Sequence, residues 1–165
     1  MHELIRGRGP GLQRRMEWSQ PHRRRSEWQL SSDGRAFASL RFSGRLHETA
    51  EAKSPSGGWR FHRRWTGAAE IVREGAGLPA ARYAPGLLRG SIATAGGLRY
   101  GWERSGLTHA RYAVVSDSGF ECLSFEPQSG WLGRGGTVTI EPLGLRNAEL
   151  EPLLLLAWRL VLGDR

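Results

Sequence analysis

The run Leu150–Leu162, LEPLLLLAWRLVL, constrains this chain more than any other feature, because positions 153 to 158 and 160 to 162 are all apolar. A helix built from it has no polar face and must be covered on every side. It is too short to cross a bilayer, which takes about 20 apolar residues. At ~1.5 Å per residue it spans about 20 Å, the width of a small domain. The rest of the chain is therefore expected to wrap around a central helix over about 149–162. Asn147 is a candidate cap, Glu149 and Glu151 suit the positive helix start, and Pro152 is tolerated in the first turn. Gly163 is expected to end the helix in the left-handed conformation. Arg159 suits the negative end, and its long stem lets it reach out of the core.

What precedes the helix reads as short strands and turns, with no convincing second helix. Glu27–Ser31 places Trp28 and Leu30 on one face. Ser32-Asp33-Gly34 is a turn signal. In Ala36–Phe42, residues Ala38, Leu40 and Phe42 share a face, and Arg45–Ala52 pairs back onto it. Residues 53–58 read as a loop. In Trp59–Trp65, residues Trp59, Phe61, Arg63 and Trp65 share one face, and Arg60, His62 and Arg64 share the other. Further strands are expected over Ala68–Glu74, Ala81–Tyr83, Gly90–Thr94 and Leu98–Arg104. Leu98, Tyr100 and Trp102 are expected on one face of the last of these. Thr108–Val115 and Gly119–Phe125 form a hairpin around Ser116-Asp117-Ser118, and Thr137–Ile140 comes last, after a loop over 128–136.

So many short strands with closely spaced turns indicate a sandwich or barrel. A lone, wholly apolar helix after them selects the barrel, because closure removes sheet edges and the lumen takes the helix. The fold class read from the sequence is all-β: about twelve antiparallel strands enclosing one hydrophobic C-terminal helix. Residues 1–16 lack periodicity and read as a disordered basic tail, with Met16 a candidate translation start; 17–165 read as one domain. GGWRFHRRW (57–65) and GGLRYGWER (96–104) echo each other 39 residues apart. Two copies do not establish a repeat. Chance in a Gly- and Arg-rich chain is the simpler account, although a pseudo-symmetric barrel gives the same echo.

The formal net charge is +8, with +5 of it in residues 1–25, and all basic residues except Lys53 are arginine. Gly, Ala, Leu and Arg all run high, as GC-rich coding produces, which lowers the weight of charge as a nucleic-acid signal. The single cysteine, Cys122, allows no internal disulfide and no Cys-rich metal site, and on a strand beside Phe120 it reads as a small core residue. No apolar signal region is visible, so a cytoplasmic location is the expectation.

The strand-rich order, the Asp33-Gly34 turn, the last strand Thr137–Ile140 and the acidic-Pro entry into the leucine-rich helix at Glu149–Leu162 together form a pattern. It resembles the tubby C-terminal-like superfamily, most closely its LURP-one-related and phospholipid-scramblase-like branch. The resemblance covers about 17–165. It implies a twelve-stranded barrel enclosing the helix, no catalytic centre, and binding of anionic phospholipid by basic residues on the barrel's outside. The cysteine runs and calcium-binding segment of scramblases have no counterpart here, so lipid scrambling is not carried over.

The residues offer two basic clusters: Arg23, Arg24 and Arg25 beside His22, and Arg60, His62 and Arg64 on one strand face. Arginine makes bidentate contacts with phosphate, so these are the candidate anion-binding residues; a solvated face enriched by codon bias is the bland reading. Arg63, among apolar residues, is expected to point inward and pair with Glu48 or Glu70. The five histidines lack metal-ligand spacing, and Ser116 and Asp117 belong to a turn rather than to a triad with His109. No catalytic residue, metal or cofactor is expected. The expected function is a non-enzymatic binding or scaffold module for anionic phospholipid or a membrane surface. The alternative is a nucleic-acid-binding protein using Arg–phosphate contacts, with Phe37 beside Arg41 as a candidate stacking platform.

Overall fold

The computed structural model describes residues 13–22, 26–43, 49–128 and 135–164. Twelve strands run in order: β1 (Arg14–Ser19), β2 (Glu27–Ser32), β3 (Arg35–Ser43), β4 (Thr49–Ser54), β5 (Gly57–Arg63) and β6 (Ala69–Arg73), then β7 (Ala81–Ala84), β8 (Gly90–Thr94), β9 (Arg99–Ser105), β10 (Arg111–Ser116), β11 (Glu121–Pro127) and β12 (Gly135–Ile140). Each pairs antiparallel with its neighbours in sequence, and β1 pairs with β12 to close the barrel. A four-residue helix, α1 (Pro142–Leu145), leads into α2 (Leu150–Gly163). The expected fold class is what the chain adopts.

Alternation along the strands builds the lumen. Met16, Trp18, Leu30, Leu40, Trp59, Phe61, Ile71, Ile92, Val114, Leu123, Phe125, Val138 and Ile140 are buried and form one core with the helix. Leu153 to Trp158 have no exposed surface at all, so every side of the helix meets the wall. Burying one such side chain is worth about 1.5–3 kcal/mol, which is why the helix needs no polar stripe. It runs closest to β6, β7 and β11, where the inward positions include the small Ala69 and Ala81. Closure also depends on a bare position: Gly136 faces Trp18 in the β1–β12 ladder, and a Cβ there would overlap the Trp18 ring.

The structure departs from the sequence expectations in particular places. The barrel begins at Arg14 rather than Glu17: Arg14 and Arg15 pair with Ile140 and Thr139, and Met16 is a buried wall residue. Ladder pairing with the distant β12 creates this strand, a long-range partner that local patterning does not show. Residues 53–58 are not a loop: Lys53 and Ser54 end β4, Gly57 and Gly58 begin β5 and pair with them, and only residues 55–56 turn. Gly135 and Gly136 belong to β12, where long-range pairing with β1 again decides. Gly163 is the last helical residue and lacks a positive φ, with Asp164 (φ −90°) as the C-cap. Its smallness serves a contact, since a Cβ there would overlap the Arg159 guanidinium. Asp33 (φ 51°) and Gly34 (φ 75°) both take the left-handed conformation that the expected hairpin turn requires.

Candidate functional site

In an up-and-down barrel, alternate hairpins share a rim, so the two ends of this molecule can be compared residue by residue. At the rim where α2 begins, acidic residues hold the helix. Glu149 accepts hydrogen bonds from the Thr94 hydroxyl (2.8 Å) and the Gly96 N–H (3.0 Å) in the β8–β9 turn. Glu151, buried, accepts from the Ser54 and Ser56 hydroxyls in the β4–β5 turn, and Ser54 accepts the Trp59 indole N–H at 2.9 Å. Asn147 accepts the Glu149 N–H (2.9 Å) and donates to the Tyr100 hydroxyl (2.7 Å). The two turns are those of the sequence echo, so its copies sit at one rim and each receives one glutamate.

The rim where α2 ends is open among the described residues. A cavity of about 340 Å³ lies between the helix C-terminus, the 85–89 connection and strands β5, β7, β9 and β10. The buried Arg159 forms part of its wall, its guanidinium 5.3 Å from the Phe42 ring centroid. Burial, and then the charge of Arg63, lower its pKa to about 10, so it remains a cation at neutral pH. Arg63 comes within 3.9 Å of the position a Gly163 Cβ would take, beside Arg159. On the opposite wall the Tyr112 hydroxyl donates to Asp164 Oδ2 at 2.6 Å, and Arg104 Nε lies 3.9 Å from the same oxygen. Tyr112 stacks on Trp102 with ring centroids 5.5 Å apart. Burial first, and then the hydrogen bond to Asp164, push the Tyr112 phenol up to about 12, so it is protonated and a donor. The Tyr83 phenol is also raised, by burial and then by the Asp164 charge. Arg89 is ion-paired with Glu103 at 2.9 Å.

The same rim carries large apolar side chains in the open. Trp65 in the 64–68 connection, Leu87 and Leu88 in 85–89 and Leu107 in 106–110 are 98 to 107% exposed. At the other rim the exposed large apolar residues are Leu78, Leu98, Phe120 and Leu143, none above 80%. A second groove, of about 1040 Å³, runs over the outer face where β1 meets β12, and Arg15, Glu17 and Glu126 mix charges along it.

Of the residues expected to bind anions, Arg60, His62 and Arg64 are exposed, and Arg60 and His62 face outward on β5. Carboxylates interleave with them: Arg60 stands opposite Glu51, which lies 3.9 Å from Arg41, and His62 stands opposite Glu70, which lies 3.6 Å from Arg82. Arg64 lies past the end of the ladder, beside Trp65 on the open rim. Arg23, Arg24 and Arg25 lie outside the described residues. Arg63 has inward parity, but as the last residue of β5 it emerges at the cavity, exposed. It does not pair with Glu70, whose place in the register puts it on the outer face near Arg82. Glu48 lies outside the described residues. Trp65 leaves the inner face because β5 ends before it, and Leu98 is half exposed for the same reason ahead of β9. Phe37 packs partly buried against the core, which removes it as an exposed stacking platform.

Sequence reasoning missed the mouth of the barrel, because Arg63, Arg104, Tyr112, Arg159 and Asp164 come from four separate stretches. It also missed the apolar loop tips, which did leave a signal: Leu87-Leu88 after Pro85-Gly86 and Leu107 after Gly106 put large apolar residues in turns. Cys122 is buried on β11 with its thiol pushed up by burial, as a core residue. His109 and Ser116 lie at opposite ends of β10. Among the described residues there is no cluster of His, Cys, Asp and Glu able to hold a metal ion, and no helix is long and apolar enough to cross a membrane. Comparison with models of known protein families, with curated proteins and with solved structures finds no match to this chain.

Proposed function

We propose that this chain is a non-enzymatic binding module that docks the open rim of its barrel on anionic phospholipid surfaces, as a tubby-like scaffold of the LURP-one-related and scramblase-like kind. One observation carries the reading: three connections of the same rim end in fully exposed Trp65, Leu87, Leu88 and Leu107, on a rim that also bears Arg63, Arg64 and Arg104. Convex apolar tips suit shallow insertion below the headgroups, and tryptophan favours that interface. A basic side chain near an anionic surface adds about 1 kcal/mol, so the apolar and the cationic parts act together where neither alone suffices. The closed barrel around a C-terminal helix supports the tubby-like kinship. A helix-filled lumen leaves little room for a substrate, which supports a binding role. The proposal includes a cytoplasmic location, since the cytoplasmic leaflet carries the anionic lipid. Arg64 belongs to the docking face, and Arg60 and His62, among carboxylates, contribute less.

Co-sedimentation with phosphatidylcholine vesicles holding rising fractions of phosphatidylserine tests this. Binding should grow with the anionic fraction and weaken with salt. Combining Trp65→Ala with Leu88→Ser should weaken it about tenfold or more. Binding that ignores lipid charge and salt, or survives the double substitution, rejects the docking face. A steep loss of DNA or RNA binding with salt, abolished by charge reversal at Arg23–Arg25, would favour the nucleic-acid alternative instead.

A further inference from the structure

The mouth cavity itself is chemically distinct from the rim around it. Four arginines and two tyrosine hydroxyls line it, and among the described residues Asp164 is the one carboxylate that does. Arg89 is committed to Glu103. Arg63 has no ion-pair partner among the described residues and lies beside another guanidinium, that of Arg159. Like charges at such range repel, and an anion between them relieves the repulsion. Some of this positive charge complements the negative end of the α2 dipole, but that role needs no cavity and no phenol donors.

Asp164 is the instructive group. A carboxylate at a helix C-terminus faces the unfavourable end of the dipole. It is held there by the Tyr112 hydroxyl at 2.6 Å and by Arg104 at 3.9 Å, and its side chain is still 53% exposed. A phenol and a guanidinium are the donors that an oxyanion ligand would use. We propose that the mouth cavity is a phosphate-monoester site in which the Asp164 carboxylate stands in for the ligand and is displaced by it. The phosphate takes the Tyr112 and Arg104 donors and lies toward Arg63, whose planar fork suits two phosphate oxygens. A space of about 340 Å³ is at the lower end of the range for small-molecule sites, enough for a phosphate ester. This goes beyond the docking proposal, because a soluble ester can enter the mouth whether or not the rim meets a membrane.

The test has two arms on the full chain. Calorimetric titration with sn-glycerol 3-phosphate covers the soluble source. Vesicles containing phosphatidic acid, set against phosphatidylserine vesicles, cover the lipid headgroup. In either arm Arg63→Gln should weaken phosphomonoester binding about tenfold or more, and because Arg63 is exposed the variant should keep the wild-type melting temperature. Asp164→Asn should tighten it about threefold to tenfold by removing the competing carboxylate. Sensitivity in the soluble arm identifies a free phosphate ester, and sensitivity confined to phosphatidic acid identifies a headgroup. Binding in neither arm, or binding that ignores Arg63→Gln, overturns the site. Binding no tighter in Asp164→Asn overturns the displacement. Phosphatidylserine binding that depends on Trp65 and Leu88 but not on Arg63 would leave the docking reading standing and this one refuted.

Discussion

At the rim where α2 starts, Glu149 and Glu151 reach two hairpin turns and find hydroxyls and a backbone N–H waiting; at the rim where it stops, Arg159, Arg63 and Arg104 gather around a cavity whose one lining carboxylate, among the described residues, is Asp164. The strands supplying both rims are the same, and so is the rod between them. The difference teaches that closure of the sheet fixes the fold without fixing the ends. At one end the helix glutamates are tied to hydroxyls and a backbone N–H of the hairpin turns. The other lines a cavity with cations and phenols and holds apolar tips out in solvent, the two features on which the proposed binding role rests.

Substitutions should separate the two ends. The largest effect belongs to the rod: Leu155→Ala, at a position with no exposed surface, should cost about 2–5 kcal/mol, read as a lower urea midpoint with unchanged slope. Next comes the closed rim, where Glu149→Ala strands the Thr94 hydroxyl and the Gly96 N–H and should cost about 1–3 kcal/mol in the same measurement. A cost near zero would break the comparison, because that rim would then hold nothing. The open rim should register in alkali. The Tyr112 pKa lies above its ordinary 10.0, at about 12, so its contribution to stability is complete below pH 10 and is lost as pH rises toward 12. In Asp164→Asn, tyrosinate absorbance should appear at lower pH and this alkaline loss should shrink. The smallest expected effect is on stability at the tips: Trp65→Ala and Leu88→Ser should leave the urea midpoint where it is while vesicle binding falls.

How much of this was legible along the chain depends on how local each cause is. The helix showed itself because its apolar residues are consecutive, and the inward sets Ala38/Leu40/Phe42 and Trp59/Phe61 because strand alternation has a period of two. Strand β1 did not, since its first half, Arg14–Met16, is laddered by β12, more than a hundred residues away, and β2 joins only from Glu17 onward. Arg63 was read as a buried partner of Glu48 or Glu70. Parity sent it inward correctly, but the end of β5 lifted it out of the core. Gly163 was read as a conformational stop, whereas its role is the space it leaves for Arg159. The two hairpins were visible as an echo, but that each receives a glutamate of the same helix, Glu151 at Ser54 and Ser56 and Glu149 at Thr94 and Gly96, required the helix to be in place between them.

By itself the sequence determined that a rod apolar on every side must be swallowed, and that many short alternating strands must do the swallowing; both follow from the cost of leaving apolar surface in water and sheet edges unpaired. Only the tertiary structure decided which charges meet. Ion pairs, cavities and rims depend on distances between residues far apart in sequence, and at a few ångströms an electrostatic contact is decided by positions that only the closed barrel supplies.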